Sequence, residues 1–225
     1  LPWKTLFEPA LRIAGEGFAV TPRLFKLMSD DKGLADDPAV KARYFNDLIV
    51  ALLGNASGQT IAIRSKKKSQ LFTQIDIDIC WPDSGNPMVA GEVKALGTPP
   101  HPKNNNKGRG ASSDLHKRAR EVAFTSMDIK AAYSPVRKLS SFKEWVDTSQ
   151  PAYASFWAIR ADDPADLDRS RSTLNSLNSY CNGVGAIIYA PSSQSATLYD
   201  VKRYQELSID RALRDLSQRI LSAKG

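Results

Sequence analysis

Hydrophobic residues recur with a helical period in the first part of the chain. Between residues 36 and 53, Val40, Tyr44 and Leu48 are spaced by four positions, which places them on one face of a helix. Pro38 suits the first turn of this helix, because the N–H that proline lacks has no partner there. The pattern predicts a helix over 36–53.

The period changes to two in the next part of the chain, where apolar and polar residues alternate. The alternation predicts a short strand over 60–63, a longer strand over 71–81 and a third over 88–95. Residues 82–87 are rich in Pro, Asp, Gly and Asn, which are turn formers. The second and third strands are therefore expected to pair as an antiparallel hairpin.

Helical and extended segments alternate in the rest of the chain. Helices are expected over 113–126, 164–180 and 208–221, and strands over 153–159, 184–189 and 196–201. This succession favours an α/β or α+β fold in which helices flank a mixed central β-sheet. Residues 1–35 are expected to form an N-terminal helical segment, and residues 36–225 a domain built around the sheet, so that the chain forms one domain overall.

The composition is that of a basic globular protein. The 225 residues include 31 Lys and Arg against 24 Asp and Glu, which gives a net charge of +7 and favours an anionic partner. Two cysteines and two histidines argue against a four-ligand zinc site and against a disulfide framework. No apolar run approaches the ~20 residues of a membrane span, so a soluble cytoplasmic protein with no membrane partner is expected.

Acidic residues are concentrated on the two strands of the predicted hairpin. Alternate side chains of a strand share a face, so Asp76 and Asp78 are expected to lie together, opposite the isoleucines between and beside them. A turn centred on Gly85 places Asp78 across from Glu92, and Asp76 across from Lys94. Two or three carboxylates and one amine are thus expected to converge on one patch.

Such a cluster has a chemical explanation and a structural one. Like charges at close range repel one another, and a hard divalent cation bound by oxygen ligands, Mg²⁺ above all, removes that repulsion. Lys94 then has a role in activating a water molecule or in stabilising the charge of a phosphate. The alternative is a solvated hairpin face that carries an ordinary Glu–Lys pair.

The segments QIDIDI (74–79) and GEVK (91–94) resemble the motif of the PD-(D/E)xK nuclease superfamily. The resemblance implies that Asp76 is the first acid, with Asp78 as the rival for that position. It implies that Glu92 is the second metal ligand, that Lys94 is the catalytic lysine, and that the backbone carbonyl of Val93 is a further metal ligand.

The resemblance also implies a fold and an activity. It implies a restriction-endonuclease-like core, in which Asp47 on the first helix is a further candidate acid. The cofactor would be Mg²⁺, with Mn²⁺ as a substitute, and the reaction an in-line attack of water on double-stranded DNA that leaves 5′-phosphate and 3′-hydroxyl ends. Because one active site cuts one strand, a homodimer or larger homo-oligomer is expected.

The biological role implied is that of a type II-like restriction endonuclease in the cytoplasm of a bacterium or archaeon. Two alternatives remain open. One is an anti-phage effector nuclease of low sequence specificity that needs a trigger, and the other is a non-catalytic DNA-binding module.

Basic and amide side chains around the hairpin are candidate DNA contacts, since lysine and arginine neutralise phosphates and asparagine and arginine read base edges. The competing interpretation is a set of solvated loops. The candidates are Lys66, Lys67, Lys68, Lys103, Asn104, Asn105, Asn106, Lys107, Arg109, Lys117 and Arg118.

Overall fold

A computed structural model describes residues 38–97, 111–134, 141–161, 164–191, 199–202 and 204–223. Within these ranges the chain forms five α-helices, six β-strands and two single 3₁₀ turns. The helices are α1 (Pro38–Ser57), α2 (Ser112–Tyr133), α3 (Phe142–Thr148), α4 (Pro164–Ser176) and α5 (Ile209–Ser222). The strands are β1 (Ala62–Lys68), β2 (Gln74–Trp81), β3 (Val89–Leu96), β4 (Ala152–Arg160), β5 (Gly183–Pro191) and β6 (Tyr199–Lys202).

The strands form one mixed sheet in the order β1-β2-β3-β4-β5-β6. The central strands β3, β4 and β5 run parallel, and the pairs at either edge are antiparallel. The parallel connections pass through helices, as such connections usually do. The prediction of a mixed sheet flanked by helices is confirmed.

Helices cover the sheet on both sides and form two apolar cores. One core joins the sheet to α1 and α5, through residues such as Phe45, Ile49 and Leu213. The other core joins the opposite face to α2 and α4, through residues such as Leu115 and Leu174. Every residue of β4 is buried, because this strand lies in the middle of the sheet and is covered from both sides.

Next to the turn, the hairpin of β2 and β3 has the register that the sequence predicts, but the expected pairs of Asp78 with Glu92 and of Asp76 with Lys94 lie beyond the last backbone pair. Ile79 pairs with Gly91 and Trp81 with Val89, which corresponds to a turn centred on Gly85. Gly85 has a φ of 75°, a conformation that glycine adopts without the steric cost paid by other residues.

Two local predictions differ from the structure. The basic run that follows Ile63 was expected in a loop, but it continues β1 as far as Lys68 with alternating exposed and buried side chains. Helix α3 was not predicted, since it spans only seven residues and has one buried side chain, Val146. Its start is marked by Ser141, whose side chain accepts the N–H of Glu144.

Several predictions fall outside the described residues. These are the N-terminal helical segment over 1–35 and most of the loop between β3 and α2. No helix in the ranges that the structure describes is long and apolar enough to cross a membrane.

Candidate functional site

The strands β2 and β3 separate at Asp78. Their backbone pairing runs from Trp81 and Val89 to Ile79 and Gly91 and ends there. Beyond that point the Val93 N–H donates to Oδ2 of Asp78 at 3.0 Å. The carboxylate therefore takes the place of a backbone acceptor and fixes the position at which the two strands diverge.

Strand β2 also changes face at this point. Ile77 packs in the core on the α2 side of the sheet, whereas Ile79 packs in the core on the α1 side. Across the strand pair, Arg64 has a φ of 57°, and the register resumes on either side of it. A left-handed residue interrupts the pleat, so the regular alternation of a strand does not hold across Asp78. The prediction that the isoleucines of β2 share one face is wrong for this reason.

The change of face separates the two acids of β2. Asp76 is exposed, and its partner on the neighbouring strand β1 is Lys66. It lies on the face of the hairpin opposite Ile75 and Ile77, which pack towards α2. The structure does not bring Asp76 to Glu92, and the rival acid, Asp78, is the one that contacts β3.

Glu92 and Lys94 lie on the α2 side of β3, because the intervening Val93 packs in the core on the α1 side. The Glu92 side chain is buried, at 7% exposure, and its Oε2 lies 2.6 Å from Nζ of Lys94. The ammonium of Lys94 is thus held by an acid two positions away on the same strand.

Gly91 allows β3 to approach β4 closely beside Glu92. A Cβ atom at this position would lie 2.5 Å from the carbonyl oxygen of Ala154, which is far inside van der Waals contact. Only glycine fits such an approach without a shift of the backbone.

Electrostatics links Asp78 to the groups around it. Burial raises the pKa of the Asp78 carboxyl, and the charge of Glu92 raises it further. The Val93 N–H and the cations Lys94 and Arg64 act in the opposite direction, without cancelling the effect of burial on this pKa. A cation bound beside Asp78 would favour its ionised form.

Arg64 connects this cluster to the first helix. Burial raises the pKa of the half-buried Asp47 on α1, and the charges of Arg64 and Arg43 oppose that rise. The same Arg64 lowers the pKa of Asp78. Asp47 on α1 and Asp78 on β2 thus share one arginine.

Tyr153 on β4 is a member of the site that the sequence did not reveal. It is fully buried, and its hydroxyl has no hydrogen-bond partner of ordinary geometry in the described structure. Burial raises the pKa of this hydroxyl well above its usual value, and the Glu92 charge is the next largest cause. The sequence signal was a tyrosine inside a mostly apolar strand, since a buried tyrosine usually has a partner for its hydroxyl.

Lys67 is not available as a DNA contact. It is 3% exposed, and its ammonium donates to the carbonyl oxygens of Pro82 at 3.3 Å and Gly85 at 3.4 Å, and to that of Asp83. The lysine holds the turn between β2 and β3, which removes it from the predicted set. The strand period explains the outcome, because Lys66 and Lys68 on either side of it are exposed.

The remaining candidate contacts divide into two groups. On α2, Lys117 is exposed, while Arg118 forms an ion pair of 2.7 Å with Glu121. The hydrogen bond that Arg118 donates to Glu121 raises the pKa of Arg118, and the charge of Glu92 contributes to the same effect. The others lie outside the described residues: Lys103, Asn104, Asn105, Asn106, Lys107 and Arg109.

The oxygen donors of the cluster fit a magnesium site of the open kind. Among the described residues, no group of three or more His, Cys, Asp or Glu side chains is placed to hold a metal ion. Mg²⁺, however, is usually held by one or two carboxylates, with water and substrate phosphate completing its octahedron. Asp78 and Glu92 supply two carboxylates, and the resemblance adds the carbonyl of Val93.

A cleft of about 490 Å³ lies elsewhere, beside Gln150, Asn182 and Arg219. Gly183, at the start of β5, also lines it, so the cleft is at the amino ends of the parallel strands. Ligands of open α/β sheets bind outside the carboxyl ends of the strands. The cleft also contains no cluster of acids, so we place the candidate site at Asp78, Glu92 and Lys94.

Comparison with known proteins does not extend this description, since no protein-family model, curated protein or solved structure matches the chain.

Proposed function

We propose that the protein is a Mg²⁺-dependent endonuclease that hydrolyses phosphodiester bonds of double-stranded DNA, with a restriction-endonuclease-like core of the PD-(D/E)xK type. One observation carries the proposal. The Asp78 carboxylate accepts the Val93 N–H where β2 and β3 diverge, next to a buried Glu92 whose partner is Lys94.

Asp78 is the first acid in this proposal, and Asp76 is not required. Asp78 and Glu92 would hold the ion, together with the Val93 carbonyl. Mg²⁺, when bound, supplies positive charge that stabilises the phosphate oxygens as negative charge develops on them. The Val93 N–H fixes the orientation of the Asp78 carboxylate, so this ligand is positioned before the ion binds.

Lys94 contributes a cation that is already in position. Its Nζ lies 2.6 Å from Oε2 of Glu92, which restricts the ammonium to the neighbourhood of the candidate ion. From there it can orient the attacking water or donate to a phosphate oxygen in the transition state. Such a preorganised donor contributes more in a partly buried site than in open water.

The exposed cations and the net charge support a polyanionic substrate. Lys66, Lys68 and Lys117 are exposed, and the whole chain carries a net charge of +7. Each phosphate that such a lysine neutralises releases counterions, so binding should weaken steeply with salt.

The test is cleavage of supercoiled plasmid by the purified protein in Mg²⁺ or EDTA. Asp78→Asn and Lys94→Ala should each reduce the rate by roughly 10²-fold or more, the usual effect of removing a group that stabilises the transition state. Asp76→Asn is the matched control, since it makes the same change two positions away on the same strand, and it should cleave within a few-fold of wild type.

Other results would select the other candidates. Loss of cleavage in Asp76→Asn with Asp78→Asn still active would make Asp76 the first acid. Binding to DNA without Mg²⁺-dependent cleavage would favour the DNA-binding module. Cleavage that appears only after a nucleotide or cell extract is added would favour the triggered effector.

A further inference from the structure

Four large apolar side chains are exposed together at the far end of the β1–β2 hairpin and on the adjoining surface of α2. Leu71 is 65% exposed, Phe72 60%, Phe124 45% and Met127 37%. The rings of Phe72 and Phe124 are tilted by 58° with centroids 6.3 Å apart, so the hairpin and the helix contribute to one surface. We call these four residues the apolar edge.

The backbone beneath the apolar edge is fixed. Asp128 on α2 is 4% exposed, and its carboxylate accepts the N–H groups of Gln70 at 2.9 Å and Leu71 at 3.0 Å. The Ser69 hydroxyl donates to the same carboxylate at 2.5 Å and accepts the Phe72 N–H at 2.7 Å. Leu71 and Phe72 are therefore exposed on a loop whose backbone is held in place.

Cations precede the apolar edge on both elements. Lys66 and Lys68 are exposed on β1, the strand that leads to the loop, on the face turned away from α2. On α2, Lys117 and Arg120 are exposed and precede Phe124 and Met127 at spacings of three and four residues, which is one stripe of a helix. The stripe passes from basic residues at one end to apolar residues at the other.

This combination favours DNA over a second copy of the chain. The cores of protein interfaces are depleted of lysine, and a two-fold contact here would bring like charges together. A stable interface also buries about 800 Å² per partner, more than four partly exposed side chains offer. Duplex DNA, in contrast, presents phosphates on the outside and apolar stacked bases within, and apolar side chains between bordering cations are the means by which proteins wedge base steps apart.

We propose that the apolar edge inserts into bound duplex DNA, with Leu71 and Phe72 entering between adjacent base pairs while Lys117 and Arg120 of α2 contact phosphates. The proposal rests on the proposed function for the identity of the ligand, and it adds a local distortion of the duplex. Leu115 and Ala119 of α2 pack in the same core as Ala90 of β3, and Phe124 follows Ala119 by five residues, about 7.5 Å along the helix axis. The distorted step would thus lie close to the scissile phosphate.

Unwinding of plasmid DNA tests the proposal without knowledge of any recognition site. A relaxed plasmid is incubated with the protein and a metal-independent topoisomerase, in EDTA or in Ca²⁺, and the change in linking number per bound protein is measured. Wild type should unwind the plasmid. Phe72→Ser should lose most of that unwinding while its affinity for the plasmid falls less than tenfold, since its phosphate contacts remain. Phe72→Trp should restore the unwinding.

Leu221→Ser is the matched control, because Leu221 is 50% exposed on α5 and lies outside the apolar edge. Met127→Ser provides a second variant of the edge should Phe72→Ser fold poorly. Unwinding by Phe72→Ser at the wild-type level, or binding by wild type with no unwinding, would overturn the proposal. A wild-type dimer that Phe72→Ser converts to a monomer would also overturn it, in favour of self-association.

The two proposals fail separately. Mg²⁺-dependent cleavage without unwinding would refute the insertion of the apolar edge and support the nuclease activity. Unwinding that depends on Phe72, without cleavage in Mg²⁺, would support the insertion of the apolar edge and refute the nuclease activity.

Discussion

The Asp78 carboxylate accepts the backbone N–H of Val93 at 3.0 Å at the position where β2 and β3 cease to pair. The Asp78 side chain thus takes the place of the backbone carbonyl that would otherwise be the next acceptor in the pairing of β2 with β3. The acid is held against the strand that carries Glu92 and Lys94, and the gap opened by the diverging strands lies beside them. This relationship selects Asp78 over Asp76 as the candidate metal ligand.

The first prediction concerns Asp78 and divalent cations. Because burial raises the pKa of this carboxyl, the folded protein retains a proton that the unfolded chain has lost, and the stability gained from protonation disappears as pH rises through the raised pKa. Asp78→Asn has no such charge and keeps an oxygen that accepts the Val93 N–H. Without divalent cations at pH 7, we expect Asp78→Asn to be more stable to urea than wild type, by an amount that shrinks towards pH 4.

Mg²⁺ should make wild type more stable than Asp78→Asn. Wild type should gain thermal stability with Mg²⁺, because a ligand that binds only the folded state stabilises it, whereas Asp78→Asn should gain little. Asp76→Asn serves as the control and should respond as wild type does. A lower stability of Asp78→Asn at pH 7 in EDTA would contradict the prediction.

The second prediction concerns Lys130, which is fully buried on α2. Its ammonium donates to the carbonyl oxygens of Val146 at 2.8 Å and Ser149 at 3.4 Å, and to Oδ1 of Asn182 at 2.5 Å. Burial lowers the pKa of Lys130 to about 7. Above that pH the folded state loses a proton that the unfolded chain keeps, so stability should rise with pH by up to about 1.4 kcal/mol per unit.

Urea unfolding from pH 6.5 to 8 measures this slope, and Lys130→Met should reduce it. The range ends below the ordinary pKa of cysteine for a reason. Burial raises the pKa of the Cys181 thiol to about 12, so stability should fall with pH once the cysteine of the unfolded chain begins to ionise. Lys143→Met is the control, because Lys143 is an exposed lysine paired with Asp147 at 2.6 Å. Equal slopes in wild type and Lys130→Met would refute the assignment.

The third prediction compares two glycines. Gly91→Ala places a Cβ 2.5 Å from the Ala154 carbonyl oxygen, so β3 and β4 must move apart, and we expect a loss of stability of about 2–3 kcal/mol. Gly85→Ala meets no atom within 4 Å but has a φ of 75°, so it should cost only about 1–2 kcal/mol. Chemical denaturation of both variants gives the comparison. Because Gly91 adjoins Glu92, its replacement should also impair cleavage, and that of Gly85 should not.

The fourth prediction concerns Asp128. Asp128→Ala leaves the N–H groups of Gln70 and Leu71 without their carboxylate acceptor, which should cost about 2–4 kcal/mol for hydrogen bonds to a charged group. Amide hydrogen exchange over residues 69–72 should accelerate more than exchange in β4. The control is Asp215→Ala, since the nearest ion pair of that acid, to Arg211, is 4.0 Å long and exposed. Unchanged exchange over 69–72 in Asp128→Ala would show that other contacts hold the loop.

Local sequence patterns predicted most of the helices and strands. The spacing of apolar residues in α1 follows from a helix with one buried face, and Tyr44 and Leu48 pack against the sheet as expected. The register of the hairpin followed from the turn at Gly85, because a two-fold period and a fixed turn leave one pairing. Helix α3 was not predicted, because seven residues with one buried side chain have no clear hydrophobic periodicity.

The candidate site was predicted in part. Glu92, Lys94 and the neighbourhood of Asp78 followed from the two segments of the hairpin. Tyr153 did not, because β4 meets β3 through a parallel pairing that is distant in sequence. The burial of Lys67 was also missed, since its acceptors are carbonyls of a turn that only the folded hairpin brings near.

The sequence by itself determined most of the succession of helices and strands, the hairpin register next to the turn and the types of side chain near the candidate site, because each depends on residues close together along the chain. Only the tertiary structure decided on which face of the sheet Asp76 and Asp78 lie. The left-handed backbone at Arg64 and the change of face at Asp78 depend on packing against two different cores, and a local pattern of alternation carries no information about which core each side chain will join.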